Sequence, residues 1–382
     1  MATTTPQTWT SPLAHFSSDL TTIDDCRIAN VYSDTDAEYN AIRESVAISD
    51  NCHYGKFVVR GADAQDAVNL VVLADVARLA IGRATWTFLL RSDGSLICDA
   101  YVLCTGDDYI ILTEGASPET VREHLTGAME EHAASVEDIT TTTAIIAIDG
   151  PYAWELLKQL VGVRILGLRY LEFIDDQKLG DNDVRIIRSG KTGEFGYQLL
   201  MDAKHVTSVW SHLVEGGAEL DVAPAGAEVL SLCRMENRFI NMHREGADAR
   251  NPLEINCRVM IDEEKDEFIG YEALEEATQS PLERRVIGIV VEGDASQVPS
   301  LGAEVKVEDE VLGRVVNSGF SRQLGKPIAL AALDAEVAYV GLTLAVAAGE
   351  SMLDCKTVSA PFIYNKSLTV RPQEDSYKTR KA

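Results

Sequence analysis

The sequence predicts an α+β fold, built from paired strand–helix units with antiparallel sheets and followed by a separate small β-barrel-like domain. Three observations carry this. A strand–helix–strand–strand–helix order runs twice between Tyr54 and Leu213, which points to paired antiparallel units. No GxGxxG or GxxxxGK[ST] follows a strand, so a doubly wound nucleotide fold is set aside. From Arg285 to Val346, short Val-rich runs alternate with Gly turns and almost no helical period remains.

Residues 1–37 are Thr-, Ser- and Asp-rich, only weakly periodic, and read as an N-terminal arm, with regular structure expected from about Tyr54. Lys56 to Arg60 reads as a strand, and Gly61 turns into an amphipathic helix from Ala62 to Leu70 with an acidic first turn. Strands follow at Thr85–Leu90, Leu96–Cys104 and Tyr109–Thr113, the first two joined by the hairpin signal Ser92-Asp93-Gly94. Ser117 caps a helix with Pro118 at its first position. In the second cycle Thr143–Ile148 is a strand and Asp149-Gly150-Pro151 opens a helix through Leu160. Val184–Arg188 and Gly196–Met201 are strands, and Lys204–Leu213 is a helix. The expected organisation is an arm (1–37), an α+β region of two subdomains (38–282), a β-barrel domain (283–372) and a frayed tail (373–382).

Composition narrows the class. Apolar residues make up 46% of 382 residues, enough to bury several cores. No run approaches the roughly 18 apolar residues of a membrane helix, and Met1 to Pro6 lacks the basic and apolar regions of a secretory signal. A cytoplasmic protein without a membrane partner is expected. With 60 acidic against 34 basic residues the formal charge is −26, which repels a phosphate backbone and makes nucleic acid a poor partner. The seven cysteines are odd in number and lack CxxC spacing, and the histidines form neither HxH nor HExxH. Reduced core thiols and no metal site are expected.

Two segments carry candidate chemistry. In Leu96–Cys104, period two puts Asp99 on a face with Ile97, Tyr101 and Leu103, while Cys98, Ala100 and Val102 take the other. A carboxylate in mid-strand among apolar neighbours is costly unless paired or working. Asp99 is therefore either a hydrogen-bonded strand acid or a functional one. The second segment is Arg188 to Gln198, where three glycines in seven residues imply a tight loop that brings backbone close to a flat ligand or another chain segment. Glu194 and Tyr197 supply polar groups at its mouth; a structural hairpin fits the spacing equally well.

These segments, in this order, resemble the glycine-cleavage T-protein (aminomethyltransferase) family from about residue 38 to 347. Glu38-Tyr39, Ile42-Arg43, Ile48-Ser49-Asp50 and Gly55-Lys56 resemble its opening region, and Gly61-Ala62-Asp63-Ala64 its Gly-x-Asp-Ala helix start. Gly82 to Thr87, Gly94 and Cys98-Asp99 resemble its hairpin ending in paired acids. Gly190 to Gly196 resembles its Gly-Tyr-Thr-Gly-Glu-x-Gly loop, Arg234-Met235-Glu236 its Arg-Leu-Glu helix, and Phe268 to Leu274 its Phe-x-Gly-x-x-Ala-Leu segment. Asn317 to Ser321 and Leu324-Gly325-Lys326 resemble its barrel motifs. The resemblance implies a three-domain cloverleaf around a channel for tetrahydrofolate, with 38–282 as the folate-binding region. It implies Asp99 as the essential acid near folate N10, with Trp86 in place of a folate-contacting Tyr. Tyr101, Glu194, Tyr197 and Gln198 are the further cofactor-binding candidates, and Lys191, His243 and Arg244 the substrate-side ones.

The departures from the family shape the functional expectation. Lys191 replaces the loop Tyr, Gln198 the pterin-pairing Glu, and Leu230 a folate-serving Arg; Cys98 replaces the first paired acid. Gln198 and Leu230 predict weaker folate binding unless a nearby acid such as Glu194 has taken over. The main expectation is a tetrahydrofolate-dependent methyl or methylene transferase that removes a one-carbon unit from a small donor, in effect a demethylase. The alternatives are the aminomethyltransferase of glycine cleavage, a folate-independent enzyme and a non-catalytic folate-binding protein.

Overall fold

Two sheets face each other and carry their helices on the outside. In this computed structural model, which describes residues 8–262, 264–265 and 267–380, the first sheet has five antiparallel strands. Their order is Arg83–Leu90, Leu96–Cys104, Tyr109–Glu114, Gly55–Gly61 and Ala134–Asp138. The second has six strands, in the order Phe173–Leu179, Asn182–Ile187, Gly196–Asp202, Thr143–Asp149, Val46–Asp50 and Val222–Pro224, the last pair parallel. Met1 to Pro6 and Lys381 lie outside the described residues.

Strand alternation sorts the side chains into layers. On the first sheet, Cys98, Ala100, Val102 and Ile111 pack outward against helices Ala64–Val71 and Pro118–Met129, whose Val68, Val121 and Leu125 close that core. On the second, Ile146, Ile148, Tyr197 and Leu199 pack against helices Ala153–Val161 and Val206–Gly216 through Leu156, Leu157, Trp210 and Leu213. The inner faces meet through Tyr101, Leu103, Leu112, Ile145, Ile187 and Leu200. Asp99 does share its inward face with Tyr101 and Leu103. Ile97 does not: the register slips between Leu89 and Leu90, and this bulge turns Ile97 into the outer core.

The N-terminal stretch departs from the expected arm. Regular structure begins at Trp9, and Trp9–Thr10, Asp19–Ile23 and Cys26–Val31 form a three-stranded sheet, with Leu13, Cys26 and Ile28 buried. Short Thr- and Asp-rich strands bury too few side chains to leave a periodic trace in sequence. The tail is also anchored, since Tyr377 stacks edge-on against Tyr152 and joins the outer core of the second sheet.

The final unit is a closed six-stranded barrel, Arg284–Val291, Lys326–Asp334, Glu310–Ser321, Glu304–Val307, Thr343–Ala348 and Ser351–Val358 in spatial order. One wall, with Val286, Val316, Ile328 and Leu330, packs on Phe88, Leu90, Met235, Leu253 and Phe268 of the body. All seven cysteines are buried free thiols, and no described helix is long and apolar enough to cross a membrane.

That shared wall generates the first prediction. A chain ending at Glu283 would expose Phe88, Met235, Leu253 and Phe268 together, a contiguous apolar face of the kind that aggregates. It is expected to elute in the void volume in gel filtration. A monodisperse, cooperatively unfolding product would show that the barrel is not needed to cover this face.

Candidate functional site

Asp99 is completely buried, and the neighbouring sequence elements neutralise it. Trp86 on the adjacent strand donates its indole N–H to Asp99 Oδ2 at 2.9 Å, and Lys191 Nζ reaches the same oxygen at 2.5 Å. Lys191 also contacts Glu114 Oε2 at 2.7 Å, and Glu114 stands directly opposite Asp99 on the next strand. Arg234 completes the cluster at 2.6 Å from Glu114 Oε1 and 3.5 Å from Asp99 Oδ2. Burial would raise the Glu114 carboxyl, but Arg234 and Lys191 hold it well below the usual carboxylate range. The lysine ammonium lies 5.3 Å and 5.5 Å from the ring centres of Tyr54 and Tyr101, an aromatic wall that favours the cation. Asp99 Oδ1 and the Tyr101 hydroxyl are buried without a hydrogen-bond partner among the described residues.

Lys191 reaches this cluster because the loop after Ser189 is tightly fastened. Gly193 sits at φ +85° against Asn237 and Asn365, where a Cβ would lie 2.3 Å from an amide oxygen. Arg43 donates to the Thr192 carbonyl at 2.7 Å and to Glu236 at 2.8 Å, and Glu236 also accepts from Tyr39 and, in the barrel, from Ser321 at 2.6 Å. Helix Ala227–Glu236 thus sends Arg234 into the acid cluster and Glu236 into the junction with the barrel.

A cavity of about 1380 Å³ opens in front of the cluster, larger than the roughly 300–1,000 Å³ of ordinary small-molecule pockets, with room for an extended ligand or for two reactants. Lys191, Gln198, His243 and Arg244 border it, as do Glu114 and Arg234; Leu230 gives it an apolar stretch of wall. Asp99, Trp86 and Tyr101 stand behind Lys191 and do not border it themselves. The structure does not bring Glu194 or Tyr197 to the cavity. Glu194 accepts from the Ser367 N–H at 2.8 Å and its hydroxyl at 2.5 Å, pinning the C-terminal segment, and Tyr197 points into the outer core. His243 Nε2 lies 3.3 Å from Asp24, a hydrogen bond that raises its pKa.

Sequence reasoning missed Glu114, His53, Tyr54 and Asp149, all of which border the cavity, and did not give Arg234 a site role. Glu114 and Asp149 each end an apolar strand on its inward face, and an acid at that period-two position is the signal that could have found them.

Lys191→Met removes one of two buried cations and leaves Asp99 and Glu114 sharing Arg234. It is expected to cost about 3–5 kcal/mol at neutral pH, the scale for breaking a buried pair. Because Glu114 is depressed in the fold, its contribution is complete above the ordinary carboxylate value and is lost as pH falls through the folded one. In the variant Glu114 titrates higher, so acid destabilisation should begin at higher pH. Urea unfolding from pH 3 to 7 measures both effects, and a cost below about 1 kcal/mol would place the pair in the exposed class instead.

Residues 5–265 match the GCVT N-terminal domain, and residues 284–363 match the glycine cleavage T-protein C-terminal barrel domain. An aminomethyltransferase of Thermotoga petrophila is 29% identical over 333 residues, 87% of this chain and 90% of its own. One from Streptomyces avermitilis is 30% identical over 309 residues, 80% of this chain and 82% of its own. The crystal structure of the glycine cleavage system aminomethyltransferase T from Bartonella henselae superposes with a TM-score of 0.81 at 17% identity, covering 91% of this chain and 95% of that one, and so shares the fold. By these matches, over both the two-sheet body and the barrel, the chain belongs to the glycine cleavage T-protein family.

Proposed function

We propose that this chain is a tetrahydrofolate-dependent one-carbon transferase of the aminomethyltransferase kind, with Asp99 as its reacting acid. The observation that carries the reading is the pairing of Asp99 Oδ1, buried and without a partner among the described residues, with a large cavity immediately in front of its ion-pair cluster. The naming of the relatives as aminomethyltransferases supports an aminomethyl donor over the demethylase expected from the sequence. The demethylase is the second reading, favoured by Lys191 against Asp99 and by Leu230 in the cavity wall.

The residues present fit a folate. Gln198 Oε1 is buried at the cavity wall without a partner among the described residues, an acceptor for a ring N–H, and in the same cavity His53 Nε2 lies 3.6 Å from Glu114 Oε1. Tetrahydrofolate, when bound, supplies the nitrogens that carry the one-carbon unit. The chain supplies the electrostatics. Trp86 and Lys191 hold one oxygen of Asp99, and the other has no competing bond among the described residues. A carboxylate held this way can accept a proton or counter positive charge that develops at a reacting nitrogen, and needs little reorganisation to do so. Lys191 and Arg234 pair with both acids and hold the Glu114 carboxyl well below the usual carboxylate range, beside the packed rings of Tyr54 and Tyr101.

Asp99→Asn should therefore lower kcat by about 10²–10⁴-fold while folate affinity changes little. Mass spectrometry of the folate product, after incubation with an aminomethyl-loaded lipoyl carrier or with a panel of N-, O- and S-methyl donors, separates the two readings. Turnover only with the carrier supports the first, and turnover with a methyl donor alone supports the second. Wild-type turnover in the Asn variant would leave Asp99 a structural acid.

A further inference from the structure

Glu194 is committed to Ser367 and does not reach the cavity. The cavity nevertheless holds another acid beside Gln198. Asp149 ends the strand Thr143–Asp149, which pairs with Gly196–Asp202 in a register that sets Ala147 opposite Gln198 and Asp149 opposite Gly196. Asp149 and Gln198 are thus diagonal neighbours on one sheet face, roughly 7–8 Å apart by backbone position, and both border the cavity. Asp149 is 4% and Gln198 1% exposed. Among the described residues Gln198 Oε1 has no partner, and of the Asp149 oxygens only Oδ1 is engaged, by the Thr192 hydroxyl at 2.7 Å.

The glycine loop is shaped around this carboxylate. A Cβ on Gly190 would lie 2.9 Å from Asp149 Oδ1, and one on Gly196 would lie 3.1 Å from it. Neither glycine has a positive φ, so space for the acid, and for the other glycine's backbone, is the reason for their bareness. A buried carboxylate with a glycine cradle, a single hydroxyl donor and an open side toward a cavity is poorly satisfied by the protein alone.

We infer that Asp149 and Gln198 together form the recognition edge for a heterocycle that offers paired N–H donors, with Asp149 as the charged acceptor. This rests on the folate reading above, where the amino-pyrimidinone edge of the pterin is that heterocycle. Two adjacent donors require two acceptors. A single carboxamide offers one oxygen, and the neighbouring carboxylate supplies the other with the strength of a charge-assisted bond.

The inference carries a pH signature. Burial pushes the Asp149 carboxyl up to about 7, against the opposing effects of Thr192 and Arg43, and Glu194 adds to the rise. Arg43 faces it from helix Thr35–Glu44 and Glu194 from the loop, while His53, Glu114, Lys191 and Arg234 border the same cavity. A ligand that donates to the ionised form binds more tightly as pH rises through this value.

Calorimetry of the full chain with 5-formyltetrahydrofolate at pH 6, 7 and 8 tests this. For one group titrating near 7, affinity should be about tenfold weaker at pH 6 than at pH 8. Asp149→Asn should bind about tenfold or more weakly at pH 8 and lose the pH step, which separates Asp149 from His53 and His243. Should the variant not fold, a 2-desamino folate analogue on the wild type takes its place and should lose the same step. Tight folate binding that is independent of pH, or an Asn variant or desamino analogue that keeps the full step, overturns the inference and leaves the folate reading standing. A wild type that binds no folate at any pH overturns both.

Discussion

The structure depends on one buried balance of charge: Asp99 and Glu114 against Lys191 and Arg234. The acids stand opposite each other on adjacent strands, so their like charges would repel without the cations between them. The cations come from distant parts of the chain, Lys191 from the glycine loop of the second sheet and Arg234 from the helix that abuts the barrel. Each acid is affordable only when all three units are assembled. The hydrophobic layers hold the sheets together through non-directional contacts, whereas this cluster fixes where the loop and helix must sit relative to the strands.

Arg43 extends the same logic away from the cavity. Its guanidinium joins the loop carbonyl of Thr192, the Asn365 side chain and Glu236, and Glu236 is reached by Ser321 of the barrel. Glu194 closes the arrangement by capping Lys366 and Ser367. The conspicuous Gly-Lys-Thr-Gly-Glu segment is therefore two things at once. Its lysine faces inward to the acids, and its glutamate faces outward to fasten the C-terminal segment. Spacing alone left open whether the loop served a ligand or another chain segment, because both uses demand glycine.

What was legible follows from which forces are local. The hairpin from Thr85 to Cys104, the Ser117 cap and the barrel strands were readable because period-two alternation, capping and turn chemistry are written in neighbouring residues. Ile97 was misplaced because a bulge shifts register by one without altering composition. The N-terminal sheet was missed because a parallel edge pairing such as Trp9 with Cys26 is a tertiary event. In sequence Asp149 reads as the opening of a helix, since Asp-Gly-Pro is a strong local signal. Its position at the end of an inward-facing strand row is visible only once Ile145, Ala147 and Asp149 are aligned with Gln198 and Leu200.

The same distinction between local and global governs charge. A net charge of −26 suggests a protein that repels anions, yet fields from exposed charges fade over a Debye length of about 8 Å at physiological salt. The cavity wall obeys its own pairing. Arg322 is held by Asp36, His243 by Asp24, and Lys191 and Arg234 by the buried acids. Leu230 contributes no charge, and Arg244 is the cavity-lining arginine without a carboxylate partner among the described residues. An anionic group entering the cavity thus meets an available guanidinium, while the acidic exterior is screened. The polarity that matters for the ligand is set by a few side chains a few ångströms apart, and the bulk charge of the chain acts on solubility instead.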